Sequence, residues 1–527
     1  MIVRLAIWLA AATVISAAPP TFDAIFPAGA QVGTELEIAA VAKVTKWPPQ
    51  VWCSSEKVVF EPLEKANQFK VKIADDAKPG PCLVRLFDGE GVSPVRIFVV
   101  GSQPEIAEVV ENDTFETAQP IETLPALINA RLEKSDDSDF YRVSLKKGQQ
   151  LLVRLDGYSL RSLIDPFLHL YGPSGYPILL ASEFQNRDAR FRFKVPVDGD
   201  YAVRVDALGH KANANVTFAG SGAMVYRLEL TTGESAIPID RPEPTAKETG
   251  SKQVIAKPMR LAGVLSKPKE VDLYKWTAKK GDRVFVRVEG QRLQFPPDLV
   301  LKITRPDDVL YKEIDDVKPY VDPELLVTAP LDGDYEFKVW DRARKGGPEF
   351  KYHLVLEEPA PDFNATANLD AYILKAGETV DLTLKFVRLN GHKLPIKVEI
   401  DGLPDGVTFE PVEAPEKSGN IVVKLAAKED IAQANGPLTI RLVETEPKPE
   451  PPAEGEEKPA AAAESPEAEP EPPFEPQIRV VPFSYLLEAD ARGEFLVNEN
   501  SSPWLTVLPK PPPKEEEEKK EEEKKPE

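Results

Sequence analysis

The chain has 527 residues, room for three or four domains at about 100 to 200 residues each. Its 86 acidic and 65 basic side chains leave a formal charge of −21, which disfavours nucleic-acid contact, because phosphate binding runs on clustered Lys and Arg. Proline is frequent, at 52 residues, and much of it gathers toward the C-terminus, where it argues against a packed core.

In chain order, Arg4 precedes an apolar run from Leu5 to Ile15 that ends in Ser16-Ala17-Ala18-Pro19. The run is shorter than the roughly 20 residues a membrane-spanning helix needs, and small residues follow it. Residues 1–18 therefore read as a secretory signal peptide cut between Ser16 and Ala18, an uncleaved anchor being the competing reading. No later stretch is apolar enough to span a bilayer, so the expected location is secreted, periplasmic or at the cell surface.

The next unit, residues 19–102, reads as an immunoglobulin-like β-sandwich. Cys53 and Cys82 both lie in strand-like runs here, and an oxidising compartment makes a disulfide across the sandwich the expected state, with two free thiols as the alternative.

A duplication follows. Asp139-Phe140-Tyr141 and Asp272-Leu273-Tyr274 stand 133 positions apart, and the same offset carries Lys147-Gly148 onto Lys280-Gly281 and Pro173 onto Pro306. Asp198-Gly199-Asp200-Tyr201 meets Asp332-Gly333-Asp334-Tyr335 one position later, so one net insertion separates two copies, 103–233 and 234–359. Runs such as Arg283-Val284-Phe285-Val286-Arg287-Val288 alternate strictly, and turn dipeptides such as Asp156-Gly157 divide them. That is the signature of antiparallel sheets joined by hairpins, and no long segment has a helical period. The class is all-β, built as tandem β-sandwiches.

Residues 360–444 carry strand patterns of another immunoglobulin-like sandwich. Residues 445–475 are rich in Pro, Glu and Ala and read as a disordered insertion, and strand character returns over 476–508, including Trp504-Leu505-Thr506-Val507. The closing strands are thus expected beyond the insertion, because loop closure grows only logarithmically with length. Residues 509–527 alternate Glu and Lys blocks and read as a disordered tail.

None of the four histidines, His169, His210, His353 and His392, sits in a catalytic or metal-ligand spacing, and there is no Gly-x-Ser-x-Gly elbow or phosphate-cradling glycine loop. The chain is therefore expected not to be an enzyme. Acidic residues cluster at Glu108-Val109-Val110-Glu111-Asn112-Asp113 and again at Ser135-Asp136-Asp137-Ser138-Asp139. Such residues supply the oxygens that hard cations such as calcium take. Tyr158, Tyr171 and Tyr176 are candidates for an aromatic ligand platform on a sandwich face.

The stretch from Glu108 to about Leu230 resembles the bacterial pre-peptidase C-terminal (PPC) domain, also similar to the collagen-binding modules of clostridial collagenases. Glu111-Asn112-Asp113, Asp139-Phe140-Tyr141, Lys147-Gly148, Asp165-Pro166, Leu170-Tyr171-Gly172-Pro173 and Asp198-Gly199-Asp200-Tyr201 carry the likeness. The resemblance implies a jelly-roll-like sandwich and, in its calcium-binding members, a metal site that maps onto Glu108, Asn112, Asp113, Asp136 and Asp139. Val110 stands where the family has a second glutamate. Copy 2 has Lys269 opposite Asp136 and no Asn-Asp pair near Thr245, so calcium is expected in copy 1 only. The domain order is similar to exported multidomain proteins of planctomycete-type bacteria. These readings imply a non-catalytic exported protein whose modules bind an extracellular or envelope protein or polysaccharide; the alternative is an accessory subunit of a secreted hydrolase or peptidase encoded elsewhere.

Overall fold

The computed structural model describes residues 18–181, 183–185, 188–207, 218–233, 242–250, 252–293, 295–315, 317, 322–446, 474–486, 494–497 and 502–510. Residues 1–17 of the expected signal peptide, nearly all of the acidic insertion and tail, and His210 lie outside them. The described chain is all-β, with two three-residue 3-10 turns and no helix long and apolar enough to cross a membrane.

The first unit pairs two four-stranded sheets, one centred on Glu35–Lys43 and Gln68–Ile73, the other on Arg96–Gly101 and Gly80–Phe87. Period-2 burial in Gln68–Ile73 sends Phe69, Val71 and Ile73 inward to meet Phe22, Val84 and Phe98. The expected disulfide is corrected here, since Cys53 and Cys82 are free thiols. They lie on neighbouring strands of one sheet rather than across the sandwich, and Cys53 is paired in register with Val84, so Cys82 is its diagonal neighbour. The thiols instead share a hydrogen bond that raises the pKa of Cys53 and lowers that of Cys82.

The repeats share a strand plan. In copy 1 a five-stranded sheet runs in the order Gln119–Pro120, Asp139–Leu145, Gly199–Ala207, Pro166–Tyr171, Pro177–Ala181. Copy 2 repeats it as Gln253–Val254, Asp272–Ala278, Gly333–Asp341, Leu299–Thr304, Leu310–Ile314. The facing sheets correspond too: Gln150–Asp156, Val225–Thr231 and Ala126–Arg131 match Arg283–Glu289, Lys351–Glu357 and Met259–Val264. Each copy buries its own cluster, around Tyr141, Val203 and Leu228 in one and Tyr274, Phe337 and Leu354 in the other. A buried carboxylate fixes the same turn in both. Asp188 accepts the backbone N–H groups of Gly157, Tyr158 and Ser159, and Asp322 those of Gly290, Gln291 and Arg292.

In the last unit the strands beyond the acidic segment return to the sheets that precede it. Ile478–Val480 pairs with Thr439–Glu444, Phe483–Leu486 with Asp362–Ala367, and Trp504–Leu508 with both Ala371–Lys375 and Ala434–Pro437. This unit also packs on the first one. Trp504 is buried against Phe87 and Trp52, at centroid distances of 5.0 and 5.8 Å, and buried Arg85 donates to Asp370 Oδ2 at 3.1 Å. The first unit also abuts copy 1, where buried Arg227 pairs with Glu105 and Asn129 Nδ2 donates to Gly29 O at 3.2 Å. Gly29 permits that approach, because a Cβ there would stand 3.1 Å from Arg227 Nε.

Candidate cation site in the first repeat

The site forms where a short parallel strand meets the entry of a long one. Ile106–Ala107 pairs with Ala126–Arg131, which brings Glu108 alongside; its N–H donates to Asn129 O, and its Oε2 accepts from Arg131 N at 3.1 Å. Gln119 clamps the far end of the following loop, accepting Val109 N–H and donating to Ala107 O. Within the loop, Asn112 O accepts Phe140 N–H at 2.9 Å, which presses Asn112 into the sandwich at 1% exposure. Its side chain lies beside the Tyr141 hydroxyl, yet neither Oδ1 nor Nδ2 completes a hydrogen bond among the described residues.

Asn112 lines a cleft with Glu108, Asp113, Asp137 and Asp139, and Glu133 and Lys134 form its outer rim. Carboxylate oxygens of Asp113, Asp137 and Asp139 lie within 4.8 Å of one another. Like charges this close, half withdrawn from water, resist ionisation. Burial pushes the Asp139 carboxyl well up, and Glu108 beside it adds to the shift; burial likewise raises Glu108 and Asp137. Asp139 has a second task, since Oδ2 accepts the Tyr226 hydroxyl, which in turn meets the Tyr141 hydroxyl at 2.8 Å.

Of the five residues expected from the sequence, the structure brings together Glu108, Asn112, Asp113 and Asp139 and leaves Asp136 outside. Asp136 is exposed, adopts φ 63°, and accepts Phe218 N–H through its carboxylate at 3.0 Å. Asp137 takes its place. The signal was present in the sequence, because side chains two apart at a strand entry share a face, which groups Asp137 with Asp139 and turns Asp136 away. Asp137 is fixed by Glu133 N–H, which it accepts at 2.5 Å.

Copy 2 retains part of this arrangement. Glu248 occupies the place of Glu108, its N–H donating to Ala262 O, and Gln253 repeats the clamp of Gln119 on Thr249 N–H and Lys247 O. Glu270 and Asp272 stand opposite Asp137 and Asp139, and Tyr352 donates to Asp272 Oδ2 at 2.5 Å. The Glu270 carboxylate is turned onto Ser266 and Lys267 N–H. Between glutamate and glutamine, copy 2 is six residues shorter, and the missing loop is the one that carries Asn112 and Asp113.

The other candidates disperse. Tyr158 is buried, Tyr171 packs on Phe140, and Tyr176 stands 72% exposed. His169 Nε2 lies 3.3 Å from Asp206, His392 Nε2 lies 2.5 Å from Glu444, and His353 packs on Phe295.

Fold and site define a tandem β-sandwich protein with an acidic, cation-sized cleft in one module. Residues 137–207, within copy 1, match the family model described as the bacterial pre-peptidase C-terminal domain. Among solved structures, the pre-peptidase C-terminal domain of collagenase from Bacillus anthracis is 12% identical, with a TM-score of 0.17; the match covers 22% of this chain and 99% of that one. The S-layer protein rSbsC(31-844) is 10% identical, TM-score 0.14, over 80% of this chain and 52% of that one. A DUF4785 family protein from Legionella pneumophila is 10% identical, TM-score 0.11, over 65% and 93%. No curated protein matches the chain.

Proposed function

We propose that the chain is an exported, non-catalytic binding and structural protein whose first repeat holds one calcium ion. The observation that carries the cation is Asn112, a buried amide that faces three converging aspartates and has no hydrogen-bond partner among the described residues. A buried polar group left unpaired costs about 1–3 kcal/mol, and a coordinated cation removes that cost at Oδ1. Glu108, Asp113, Asp137, Asp139 and Asn112 together offer the all-oxygen donor set of a hard cation, with water free to complete six to eight ligands. The ion would also offset the repulsion that raises the carboxyl pKa values. No thiol or imidazole lines the cleft, so a soft metal finds no ligand there. The export and binding part of the reading draws support from the pre-peptidase C-terminal module itself.

Isothermal titration of the full chain with calcium chloride tests the reading. One ion per chain is expected, with at least a tenfold loss of affinity in Asp137→Asn and in Asn112→Ala and no change in Glu248→Gln of copy 2. Absence of binding, or a site lost in Glu248→Gln, overturns it.

A further inference from the structure

The outer face of the five-stranded sheet differs between the repeats in a way the common fold does not require. In copy 2, Lys302 pairs with Glu313 at 3.4 Å across the last two strands. The residues at those places in copy 1 are His169 and Leu180, which are register partners. The edge strand itself differs most. Leu310–Ile314 of copy 2 carries Lys312 and Glu313 at its centre, whereas Pro177–Ala181 of copy 1 holds no charge. Ile178 and Leu180 are 46% and 60% exposed, and Tyr176 stands just before them. Tyr171, replaced by Thr304 in copy 2, continues the apolar surface inward through Phe115 and Phe140, at 6.1 and 5.4 Å.

An edge strand offers a row of unpaired N–H and C=O groups, and soluble proteins normally blunt it with charge. Copy 2 uses charge, whereas copy 1 has only Pro177 at the start of its edge, which leaves Ile178–Ala181 uncharged. We propose that Ile178–Ala181 of copy 1 is a docking edge that takes an extended, uncharged, apolar segment of a partner protein as an added strand. Main-chain pairing supplies affinity in this mode, and alternate side chains supply selectivity. Pro177 has no N–H and marks where pairing starts.

The apolar area on offer sets the size of the occupant. Tyr176, Ile178 and Leu180 are only three exposed side chains, against roughly 20–30 residues a side in a standard interface. That suits one strand and falls short of a stable dimer of this chain, whose net charge of −21 adds repulsion between copies. The absence of charge on the edge sets the chemistry, because a charged residue placed over Leu180 would lose hydration without gaining a partner. The proposal rests on the reading of the chain as a binding protein and is independent of the cation.

The probe is a fluorescein-labelled peptide of alternating valine and threonine, flanked by glycine and serine and followed by anisotropy with the full chain, once in calcium and once in chelator. Saturable binding at one peptide per chain is expected in both conditions, weakened at least tenfold in Leu180→Lys and in Ile178→Lys. These side chains are exposed, so far-UV circular dichroism should stay unchanged. The double substitution Lys312→Leu with Glu313→Leu should raise the stoichiometry to two. No saturable binding by the unmodified chain, or equal binding by both lysine variants, overturns the proposal. A dimer in sedimentation that is lost in Leu180→Lys also overturns it, in favour of self-pairing. Binding only in calcium would tie the edge to the cation site and overturn its independence.

Discussion

Copy 1 and copy 2 keep the same sheet order and the same aspartate and tyrosine pair, yet only copy 1 has a loop long enough to carry Asn112 and Asp113. The comparison separates what the sandwich needs from what was added to it. Asp139 and Asp272 each accept a buried tyrosine hydroxyl, so that aspartate belongs to the fold. Among the described residues, convergent carboxylates around a buried amide belong to copy 1 alone. A loop inserted between a glutamate and its glutamine clamp is enough to make the difference, because the strands on either side stay in register.

The largest expected effect is calcium on stability. A ligand at 100 times its dissociation constant stabilises the folded state by about 2.7 kcal/mol. Thermal unfolding of the full chain should show a calcium-dependent rise that vanishes in Asp137→Asn and survives Glu270→Gln of copy 2. A rise that persists in Asp137→Asn would place the ion elsewhere.

Next in size is the aspartate the copies share. Asp139→Ala and Asp272→Ala should each cost about 1–3 kcal/mol, because a buried tyrosine hydroxyl loses its acceptor. Denaturant unfolding measures both. Unequal losses in chelator would show that the two tyrosine pairs are not equivalent.

The response to pH sharpens the contrast. Burial pushes Glu248 up to about 7, with Asp272 adding to the shift, and burial pushes Asp272 up to about 6. Folded carboxyls with raised pKa hold more protons than the unfolded chain does, so stability falls as pH rises from the unfolded value near 4 through the folded one. Without calcium, both repeats should become less stable between pH 5 and 8. Calcium favours the ionised carboxylates and should abolish the decline in copy 1 while leaving it in copy 2, where melts of Asp137→Asn serve as the reference. A chain whose stability rises with pH in chelator would contradict the buried-carboxyl account.

Much of this was legible in the sequence, for a local reason. Turn glycines mark the repeat because the backbone demands them: Gly148 and Gly281 sit at φ 88° and 94° in corresponding hairpins, where a side chain is strained. Strict alternation gave the strands, and the acidic segments pointed to the cleft. The family likeness points to Asp136, whereas the two-residue spacing that groups Asp137 with Asp139 was legible in the same stretch. Glu248 escaped notice because the shortened loop shifts it from the repeat offset, so only strand pairing reveals its equivalence to Glu108. The packing of Trp504 on Trp52 joins residues more than 450 positions apart, and no periodicity encodes such a contact.

The smallest effect concerns the outer face. Lys302 and Glu313 are both partly exposed, and a pair of that kind contributes about 0.2–1 kcal/mol, screened further by salt. Lys302→Ala should therefore lower stability only slightly, and the loss should shrink in 0.5 M salt. The matching change in copy 1, Leu180→Lys, replaces an exposed apolar side chain and should leave stability within about 0.5 kcal/mol of the starting protein. If so, the apolar edge of copy 1 contributes little to its own fold, and its lack of charge needs another cause, such as a partner strand. If Leu180→Lys instead costs as much as a buried substitution, the edge is part of the core of copy 1, and the contrast with copy 2 is one of packing.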